Sequence, residues 1–260
     1  MLESPVDYRV DGAMARLTLN SPNKRNALST ALIDALGQGL ANATADPRVR
    51  LVALGHTGGT FCAGADLSES GAAPDEQLAV GRAREMTALL RALLQCPLPV
   101  VGVVDGHVRA GGMGLLGACD IVVAGTRSTF ALTEARLGVS PAIISLTLLP
   151  KMSARAAGRY FLTGETFGPE RAAEIGLVTI AAQTVEAELA TIADALAKGS
   201  PQGLAASKAL VTDPILREFD RDADRLARVS AGLFLSEEAS EGMTAFLQRR
   251  SPSWVRSAGN

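Results

Sequence analysis

Residues 58–67 read Gly-Gly-Thr-Phe-Cys-Ala-Gly-Ala-Asp-Leu, a loop of small residues that closely follows an apolar strand pattern at residues 51–54. Because the loop carries little side-chain bulk, its backbone can approach a ligand closely and direct N–H groups toward it. An ordinary flexible turn has the same composition, so that interpretation stays open. The loop matches neither the G-x-G-x-x-G nor the G-x-x-x-x-G-K-[ST] fingerprint of nucleotide-binding proteins.

A second glycine-rich stretch, at residues 105–114, reads Asp-Gly-His-Val-Arg-Ala-Gly-Gly-Met-Gly. It connects an apolar strand pattern at 100–104 with a helix of small residues at 111–118. Free N–H groups at a helix N-terminus, together with the helix dipole, suit a developing oxyanion. Close helix packing would also explain these glycines, which cost about 1 kcal/mol each relative to Ala inside a helix. Both interpretations can hold together.

A third stretch, at residues 130–138, reads Phe-Ala-Leu-Thr-Glu-Ala-Arg-Leu-Gly and contains Glu134. Glutamates are rarely buried unless they are paired. On residue type alone, Glu134 is therefore predicted to be a solvated surface carboxylate.

The first half of the chain alternates strand and helix patterns. Residues 15–20 alternate apolar and polar side chains, which predicts a half-buried strand. A helix is predicted next, capped by Ser29, with an apolar stripe at Leu28, Leu32, Leu36 and Leu40. A helix near residues 75–95 has a predicted buried side formed by Leu78, Met86, Leu89, Leu90 and Leu93. Short apolar strands between helices predict parallel pairing with both sheet faces covered.

From about residue 151, helical patterns dominate and strand signals nearly vanish. The predicted helices span 153–162, 169–175, 184–198, 202–211, 214–234 and 237–249. The fold class is therefore predicted to be α/β, with a core at residues 1–198 followed by a helical region at 199–260.

Composition excludes several classes of protein. The net charge is −2 and the acidic and basic residues are interspersed, so a nucleic-acid-binding surface is not expected. No run approaches the ~20 apolar residues of a membrane span, and the first ten residues lack signal-peptide character. Cys62, Cys96 and Cys119 have no metal-ligand spacing and are predicted to be reduced, packed thiols. We expect a cytoplasmic protein without a metal.

Together, the three stretches resemble the enoyl-CoA hydratase/isomerase (crotonase) family. Residues 61–67 resemble the loop that supplies the family's first oxyanion donor. Residues 110–114, together with 118–121, resemble the segment that supplies the second donor. Residues 130–138 resemble the segment that carries the catalytic glutamate. Further agreement lies at residues 26–28, 161–164, 173–178 and 241–246. The resemblance covers nearly the whole chain in order. It implies a spiral of ββα units with a C-terminal helical region that builds homotrimers or hexamers.

The resemblance also implies roles for individual residues. The two oxyanion N–H groups fall on Ala65 and Gly111, and the catalytic carboxylate falls on Glu134. The positions implied to bind the substrate or its coenzyme A moiety are Lys24, Ala27, Ala63, Asp66, Leu67, Gly112, Phe246 and Arg249. The last two often act from a neighbouring subunit in the family. No cofactor is implied, because coenzyme A is part of the acyl-CoA substrate.

One position departs from the family pattern. Two-glutamate hydratases carry a second catalytic Glu where this chain has Gly114, which leaves Glu134 as the one matched carboxylate. A single carboxylate could add water by shuttling a proton through it, or could move a double bond from Cβ–Cγ to Cα–Cβ. Asp66 and His107 could assist, but the sequence does not bring either to the reacting carbons.

The sequence therefore predicts an enoyl-CoA hydratase that adds water to a 2-enoyl-CoA through a stabilised enolate. An enoyl-CoA isomerase that uses Glu134 alone is the alternative within the family. A catalytically silent acyl-CoA-binding protein, and a serine peptidase on the related Clp-type fold, are the alternatives from other classes. The acyl chain is expected to be selected by residues 68–83 and 140–147. Arg109 could meet a substrate carboxylate, although a structural role is favoured.

Overall fold

The computed structural model of the chain describes residues 4–69 and 75–255. Its strands are β1 (Val6–Asp11), β2 (Met14–Leu19), β3 (Leu51–His56), β4 (Thr60–Cys62), β5 (Val100–Val104), β6 (His107–Arg109), β7 (Ile121–Gly125), β8 (Thr129–Ala131) and β9 (Ile180–Ala182). Its helices are α1 (Thr30–Ala45), α2 (Glu76–Gln95), α3 (Gly111–Ala118), α4 (Ser145–Leu148), α5 (Ala154–Thr163), α6 (Pro169–Glu174), α7 (Val185–Ala197), α8 (Pro201–Phe234) and α9 (Glu237–Leu247). The mixed α/β class was predicted from the sequence, and it is confirmed.

The larger sheet has six strands in the order β1-β2-β3-β5-β7-β9. Only β1 and β2 pair antiparallel, and the other neighbours pair parallel, as the apolar strand patterns predicted. Alternate residues of the strands face opposite sides of this sheet. Leu54 and Val100 belong to the core cluster that includes residues of α1 and α2, whereas Val101 and Val103 belong to a second cluster with α7. Both faces are therefore covered.

A smaller sheet was not predicted. It contains three parallel strands in the order β4-β6-β8, each of only three residues. Runs this short carry no periodic signal, and glycines surround two of them in the sequence. The small sheet positions the three stretches singled out above, because each of them includes or directly follows one of its strands.

Two predictions about the helices need correction. Leu78 was assigned to the buried side of α2, but its side chain is 45% exposed. The helices expected at 202–211 and 214–234 are one continuous helix, α8, with Pro214 inside it. Proline usually breaks a helix because it lacks an N–H. Here Pro214 is exposed, so the carbonyl group left without its partner can be hydrated, while Ile215 and Phe219 remain packed in the core.

The helical region packs on the core at two places. Helix α8 lies along α2, and its buried Lys208 donates to the carbonyl oxygens of Leu93 and Leu98 at 2.9 and 3.0 Å. Helix α9 packs closely on the 3-10 helix Glu134–Leu137, since a β-carbon on Gly138 would stand 2.6 Å from the backbone of Glu238. The division of the chain at residues 198 and 199 stays a prediction.

None of the helices within the described ranges is long and apolar enough to cross a membrane.

Candidate active site

The three parallel strands of the small sheet bring three distant parts of the chain to one edge. Cys62 of β4 pairs with Val108 of β6, and Val108 pairs with Phe130 of β8. Because the carboxyl ends of parallel strands lie at the same edge, the segments that follow these residues emerge side by side.

Each of those segments carries one of the predicted catalytic residues. Ala65 follows the paired residue of β4 by three positions, Gly111 follows that of β6 by three, and Glu134 follows that of β8 by four. The sheet register therefore places the three stretches in one neighbourhood, although 23 or more residues separate them along the chain.

The loop after β4 is held by the segment that precedes α1. Leu28 N–H donates to Gly64 O at 2.8 Å, and Asp66 N–H donates to Leu28 O at 3.2 Å. In such a parallel bridge the residue between the two bonded positions directs its own N–H away from the partner. That residue is Ala65, which is exposed, and its N–H donates to no backbone carbonyl of the described chain.

Asn26 anchors this arrangement and was not identified as a site residue from the sequence. Its side chain is fully buried, accepts from Ser21 N–H at 2.7 Å, and donates to Thr57 O and Thr60 O at 3.1 and 2.8 Å. Its φ of 51° is in the left-handed region, which Asn tolerates better than most residues. Through these hydrogen bonds to backbone groups, the Asn26 side chain connects the tight loop before Leu28 to the segment at residues 57–60.

The second N–H belongs to the first residue of α3. Gly111 begins this helix, so its N–H has no partner within the helix. A β-carbon built on Gly64 would stand 3.8 Å from Gly111 N and 2.8 Å from the β-carbon of Ala110. The two loops are therefore in contact, and the free N–H groups of Ala65 and Gly111 lie on adjoining segments. Two such donors can hold one thioester oxygen as negative charge develops on it.

Ala110 adopts a backbone conformation that is unusual for a residue with a side chain. Its φ is 45° and its ψ is −118°, and its carbonyl accepts from Met113 N–H at 2.9 Å. Such strain is found preferentially at functional sites. It occurs here immediately before Gly111, where the chain turns from β6 into α3.

The glycines of α3 also serve packing, as the sequence allowed. A β-carbon on Gly112 would stand 2.7 Å from Cys62 Cβ, and one on Gly117 would stand 2.9 Å from Thr147 O. A β-carbon on Gly114 would overlap the side chain of Ile144. The oxyanion and packing interpretations of this stretch are therefore compatible.

Glu134 is buried, and the prediction of a solvated surface carboxylate was wrong. The residue is 8% exposed, and its Oε2 has no hydrogen-bond partner among the described residues. Burial raises the pKa of Glu134 to about 7, and a hydrogen bond from its own backbone N–H opposes that rise. A buried carboxyl group near half-protonation at neutral pH can both accept and return a proton.

The residues predicted to bind coenzyme A divide into two groups. Lys24 and Asp66 form an ion pair of 3.0 Å beside the loop after β4, and the hydrogen bonds to Ser68 and Lys24 lower the pKa of Asp66. Ala27 and Ala63 are half-buried in the same two segments, and Gly112 is buried at the start of α3. The side chain of Leu67 lies outside the described part of the structure.

Phe246 and Arg249 form the second group, at the end of α9. Phe246 is 53% exposed and Arg249 is exposed with a φ of 54°. Neither side chain hydrogen-bonds to the loop at Lys24–Ala27 in the structure as described. Their proposed contact with coenzyme A stays a prediction.

His107 and Arg109 face the β8 side of the small sheet. Arg109 donates to Val108 O and Thr129 O at 2.8 and 2.7 Å, and His107 Nδ1 lies 2.8 Å from Thr129 Oγ1. Burial lowers the pKa of Arg109. These contacts give Arg109 a structural role, as the sequence favoured.

A cavity of about 420 Å³ lies elsewhere, where the α7 side of the larger sheet meets the ends of its strands. Two ion pairs line it, Arg16–Glu186 at 2.9 Å and Arg127–Asp105 at 2.7 Å. Because these charged side chains pair with each other, the cavity offers a ligand fewer unpaired polar groups than the edge of the small sheet that carries Glu134.

The described residues contain no cluster of three His, Cys, Asp or Glu side chains that could hold a metal ion. All three cysteines are buried and free, as predicted. Burial raises the pKa of the Cys62 and Cys119 thiols to about 12, so neither is a nucleophile at neutral pH.

Comparison with known proteins finds one family model, enoyl-CoA hydratase/isomerase, which matches residues 9–257. The crystal structure of an enoyl-CoA hydratase from Mycobacterium avium is 61% identical, with a TM-score of 0.92 and coverage of 98% of this chain and 100% of that one. The 2,3-dehydroadipyl-CoA hydratase of Escherichia coli K12 is 31% identical over 92% of this chain and 93% of its own length. The 1,2-epoxyphenylacetyl-CoA isomerase of the same organism is 30% identical over 98% of this chain and 99% of its own length.

Proposed function

Because the chain belongs to the enoyl-CoA hydratase/isomerase family, we propose that it is a hydratase that adds water to a 2-enoyl-CoA thioester. The observation that carries this proposal is Glu134, a buried carboxyl group beside two free backbone N–H groups. Its Oε2 makes no hydrogen bond to the described chain. A buried polar atom without a partner is costly, by about 1–3 kcal/mol, so it calls for a partner such as a substrate or water.

The hydration would proceed through an enolate. Glu134 accepts a proton from water while the water oxygen bonds to Cβ, and the Cα–Cβ π electrons move into the thioester. The resulting oxyanion is held by Ala65 N–H and Gly111 N–H, and Glu134 then returns the proton to Cα. Removing one such donor typically costs about 10²–10³ in kcat.

The pKa of Glu134 suits this double role. A general base must be partly deprotonated at working pH, and the same group must be acidic enough to return the proton. With its pKa raised to about 7 by burial, Glu134 exists in both forms near neutral pH.

A double-bond isomerase is the second candidate, and the packing around Gly114 favours it. Any side chain at Gly114 would overlap Ile144, which is 4% exposed. A second carboxylate therefore has no room there, and isomerisation needs only one. Glu134 would remove a Cα proton from a 3-enoyl-CoA and return it to Cγ.

Coenzyme A is proposed to lie across the loops at Lys24–Ala27 and Ala63–Leu67. The Lys24 side chain is 58% exposed, so its ammonium group can approach a phosphate while it keeps its contact with Asp66. Phe246 and Arg249 are proposed to contact the nucleotide of a neighbouring subunit in a cytoplasmic homotrimer or hexamer that needs no further cofactor. Exposed apolar residues at the end of the chain, Leu247 at 69% and Trp254 at 40%, support such an assembly.

The test is a panel of 2-enoyl- and 3-enoyl-CoA thioesters assayed for both hydration and double-bond migration. Hydration of a 2-enoyl-CoA supports the first proposal, and migration without hydration supports the second. Sedimentation at micromolar concentration tests the assembly, and a stable monomer would contradict it.

A silent acyl-CoA-binding protein would behave differently in two measurements. It would bind a saturated acyl-CoA but would exchange no Cα proton with deuterated water. Exchange that disappears in Glu134→Gln, with acyl-CoA affinity unchanged, would exclude the silent alternative.

A further inference from the structure

One face of α3 carries glycine at every third position, and each glycine is covered by a different side chain. Positions three apart are neighbours on a helix surface, so Gly111, Gly114 and Gly117 form one row. A β-carbon on Gly111 would overlap Leu28, and one on Gly114 would overlap Ile144. Ile144 therefore stands over the helix one turn beyond the proposed oxyanion donor.

The three atoms nearest to a β-carbon on Gly114 are all carbons of Ile144. The Gly114 carbonyl already accepts from Thr147 Oγ1 at 3.0 Å, and that hydroxyl also contacts Ile144 O at 3.1 Å. At the neighbouring position of the row, Met86 Cε would lie 3.7 Å from a β-carbon on Gly111, so an apolar group also lies beside the proposed oxyanion donor. An ordered water needs two to four polar partners, and hydrocarbon supplies none.

The same segment carries both Ile144 and Glu134. From Glu134 the chain turns at Gly138, Val139 N–H returns to Glu134 O at 3.1 Å, and ten residues after the glutamate Ile144 precedes α4. Ile144 is thus connected by a short, hydrogen-bonded turn to the carboxyl group that would transfer the proton.

We propose that Ile144 is a specificity-determining residue that disfavours hydration relative to double-bond migration, by keeping the Gly114 side of the site free of held water. This inference rests on the proposed function, because it concerns how one proton-transfer site divides between two outcomes.

Both outcomes use Glu134 for proton transfer, and hydration alone needs a water molecule. In migration, Glu134 takes a proton from Cα of a 3-enoyl-CoA, the electron pair spreads over the dienolate, and the proton returns to Cγ. In hydration, a water oxygen bonds to Cβ of the 2-enoyl-CoA, the π electrons enter the thioester, and a proton reaches Cα. A residue that controls how well water is held should change the second outcome and leave the first nearly unaltered.

Ile144→Val and Ile144→Thr form a matched pair for the test. Both remove the same methyl group and have nearly the same volume, but only threonine adds a hydroxyl that can hold water. With a 3-enoyl-CoA as substrate, the early ratio of 3-hydroxyacyl-CoA to 2-enoyl-CoA is measured in wild type and both variants. We expect Ile144→Thr to raise this ratio about threefold to tenfold above Ile144→Val, the effect of one added hydrogen bond to water.

Ile192→Ala is the control for loss of packing. Ile192 is a buried isoleucine of the cluster on the α7 side of the larger sheet. This variant should lose stability without changing the ratio. If circular dichroism shows that Ile144→Thr does not fold, Ile144→Ala replaces it, since opening space for water should also raise the ratio.

The outcomes separate this inference from the proposed function. Equal ratios in folded Ile144→Thr and Ile144→Val, or an equal change in Ile192→Ala, would overturn the role of Ile144 while the enzyme remains active. Wild-type protein that neither hydrates nor isomerises any thioester would overturn the proposed function itself.

Discussion

Glu134 and Lys208 are both ionisable side chains with 8% exposure, but their surroundings are opposite. Lys208 Nζ lies 2.8 Å from Asp120 Oδ2 and donates to two carbonyl oxygens, so its three N–H groups each have an acceptor. Glu134 Oε2 has no hydrogen-bond partner within the described chain. The two side chains also lie near opposite ends of strands. Lys208 lies near the amino ends of β5 and β7, whereas Glu134 lies beyond the carboxyl end of β8.

The difference separates a structural buried charge from a functional one. A fully bonded ammonium joins α8 to α2 and to the start of β7, and it has no capacity left for a ligand. A buried carboxyl oxygen without a partner weakens the fold, and in Glu134 it is free to bind a substrate or water. Substitutions at the two positions should therefore affect different measurements.

The largest effect is expected for Glu134→Gln. Glutamine has nearly the same size but cannot transfer the proton, and general acid–base catalysis is commonly worth about 10²–10⁴-fold. Because Glu134 is the one matched carboxylate, the loss of kcat on crotonyl-CoA or a 3-enoyl-CoA should lie toward the upper end of that range. Glu170→Gln, an exposed glutamate on α6, is the control. A drop of tenfold or less in Glu134→Gln would mean that another group moves the proton.

Lys208→Met should reduce stability and leave catalysis unchanged. Methionine keeps the apolar stem but leaves Asp120 and two buried carbonyl groups without the ammonium, and breaking a buried pair costs about 3–5 kcal/mol. Urea unfolding measures this loss, and kcat per folded molecule should match wild type. Lys198→Met, at an exposed lysine, should change stability by no more than about 0.5 kcal/mol. If Lys208→Met kept wild-type stability, the ion pair would contribute little.

Ala65→Pro should remove one oxyanion donor without adding a β-carbon. Gly64 before it has a φ of 96°, which proline does not favour in its neighbour, so circular dichroism first checks that the variant folds. Residue 65 already has a β-carbon, and its N–H donates to no backbone carbonyl in the described chain. The expected loss is about 10²–10³ in kcat. Ala65→Ser keeps the N–H and should stay within a few-fold of wild type. Equal activity in the two variants would show that this N–H does not hold the oxyanion.

Proline at Gly111 is a weaker test of the second donor than Ala65→Pro is of the first. Any β-carbon there would overlap Leu28, and the preceding Ala110 has a φ of 45°, which proline does not favour in its neighbour. A loss of activity in Gly111→Pro would therefore mix the missing N–H with altered packing.

The smallest expected effect is a pH-dependent difference in stability between wild type and Glu134→Gln. Burial raises the pKa of Glu134 from 4.5 to about 7 in the folded chain, so folding favours the protonated form. This contribution is complete below pH 4.5 and is lost as the pH rises through about 7. One pKa unit corresponds to about 1.4 kcal/mol, so wild type should lose about 3 kcal/mol relative to Glu134→Gln between pH 4.5 and 8.5. Urea unfolding of both proteins at the two pH values measures this difference, and an equal gap at both would contradict the shifted pKa.

Most of the fold could be predicted because its signals are local. The alternation at Ala15, Leu17 and Leu19 identified β2, and the side chain of Ser29 caps α1 at Leu32 N–H as expected. Leu78 was misassigned because it lies in the first turn of α2, before the helix meets the core. The strands of the small sheet were missed, since their stability comes from pairing with distant segments rather than from their own sequence.

The candidate site shows the same division. Its three segments were identified by resemblance, and Ala65, Gly111 and Glu134 remain predicted catalytic residues. Residue type alone predicted the wrong surroundings for Glu134, because burial depends on what packs over a side chain. The sequence singled out Asn26 and Ile144 only as members of longer stretches, at 26–28 and 140–147, and it did not identify Lys208. The role of each depends on contacts with residues far along the chain.

By itself, the sequence determined the α/β class and the principal helices of the core, because hydrophobic periodicity is a property of neighbouring residues. Its resemblance to the family also singled out the three stretches that are predicted to carry the chemistry. Only the tertiary structure decided that these stretches meet at one edge of a small parallel sheet. It also decided that Glu134 is buried, with no partner for Oε2 among the described residues, and that Ile144 occupies the space beside Gly114. Each of these facts depends on the register and packing of segments that are distant in sequence. The burial that results from this packing raises the pKa of Glu134.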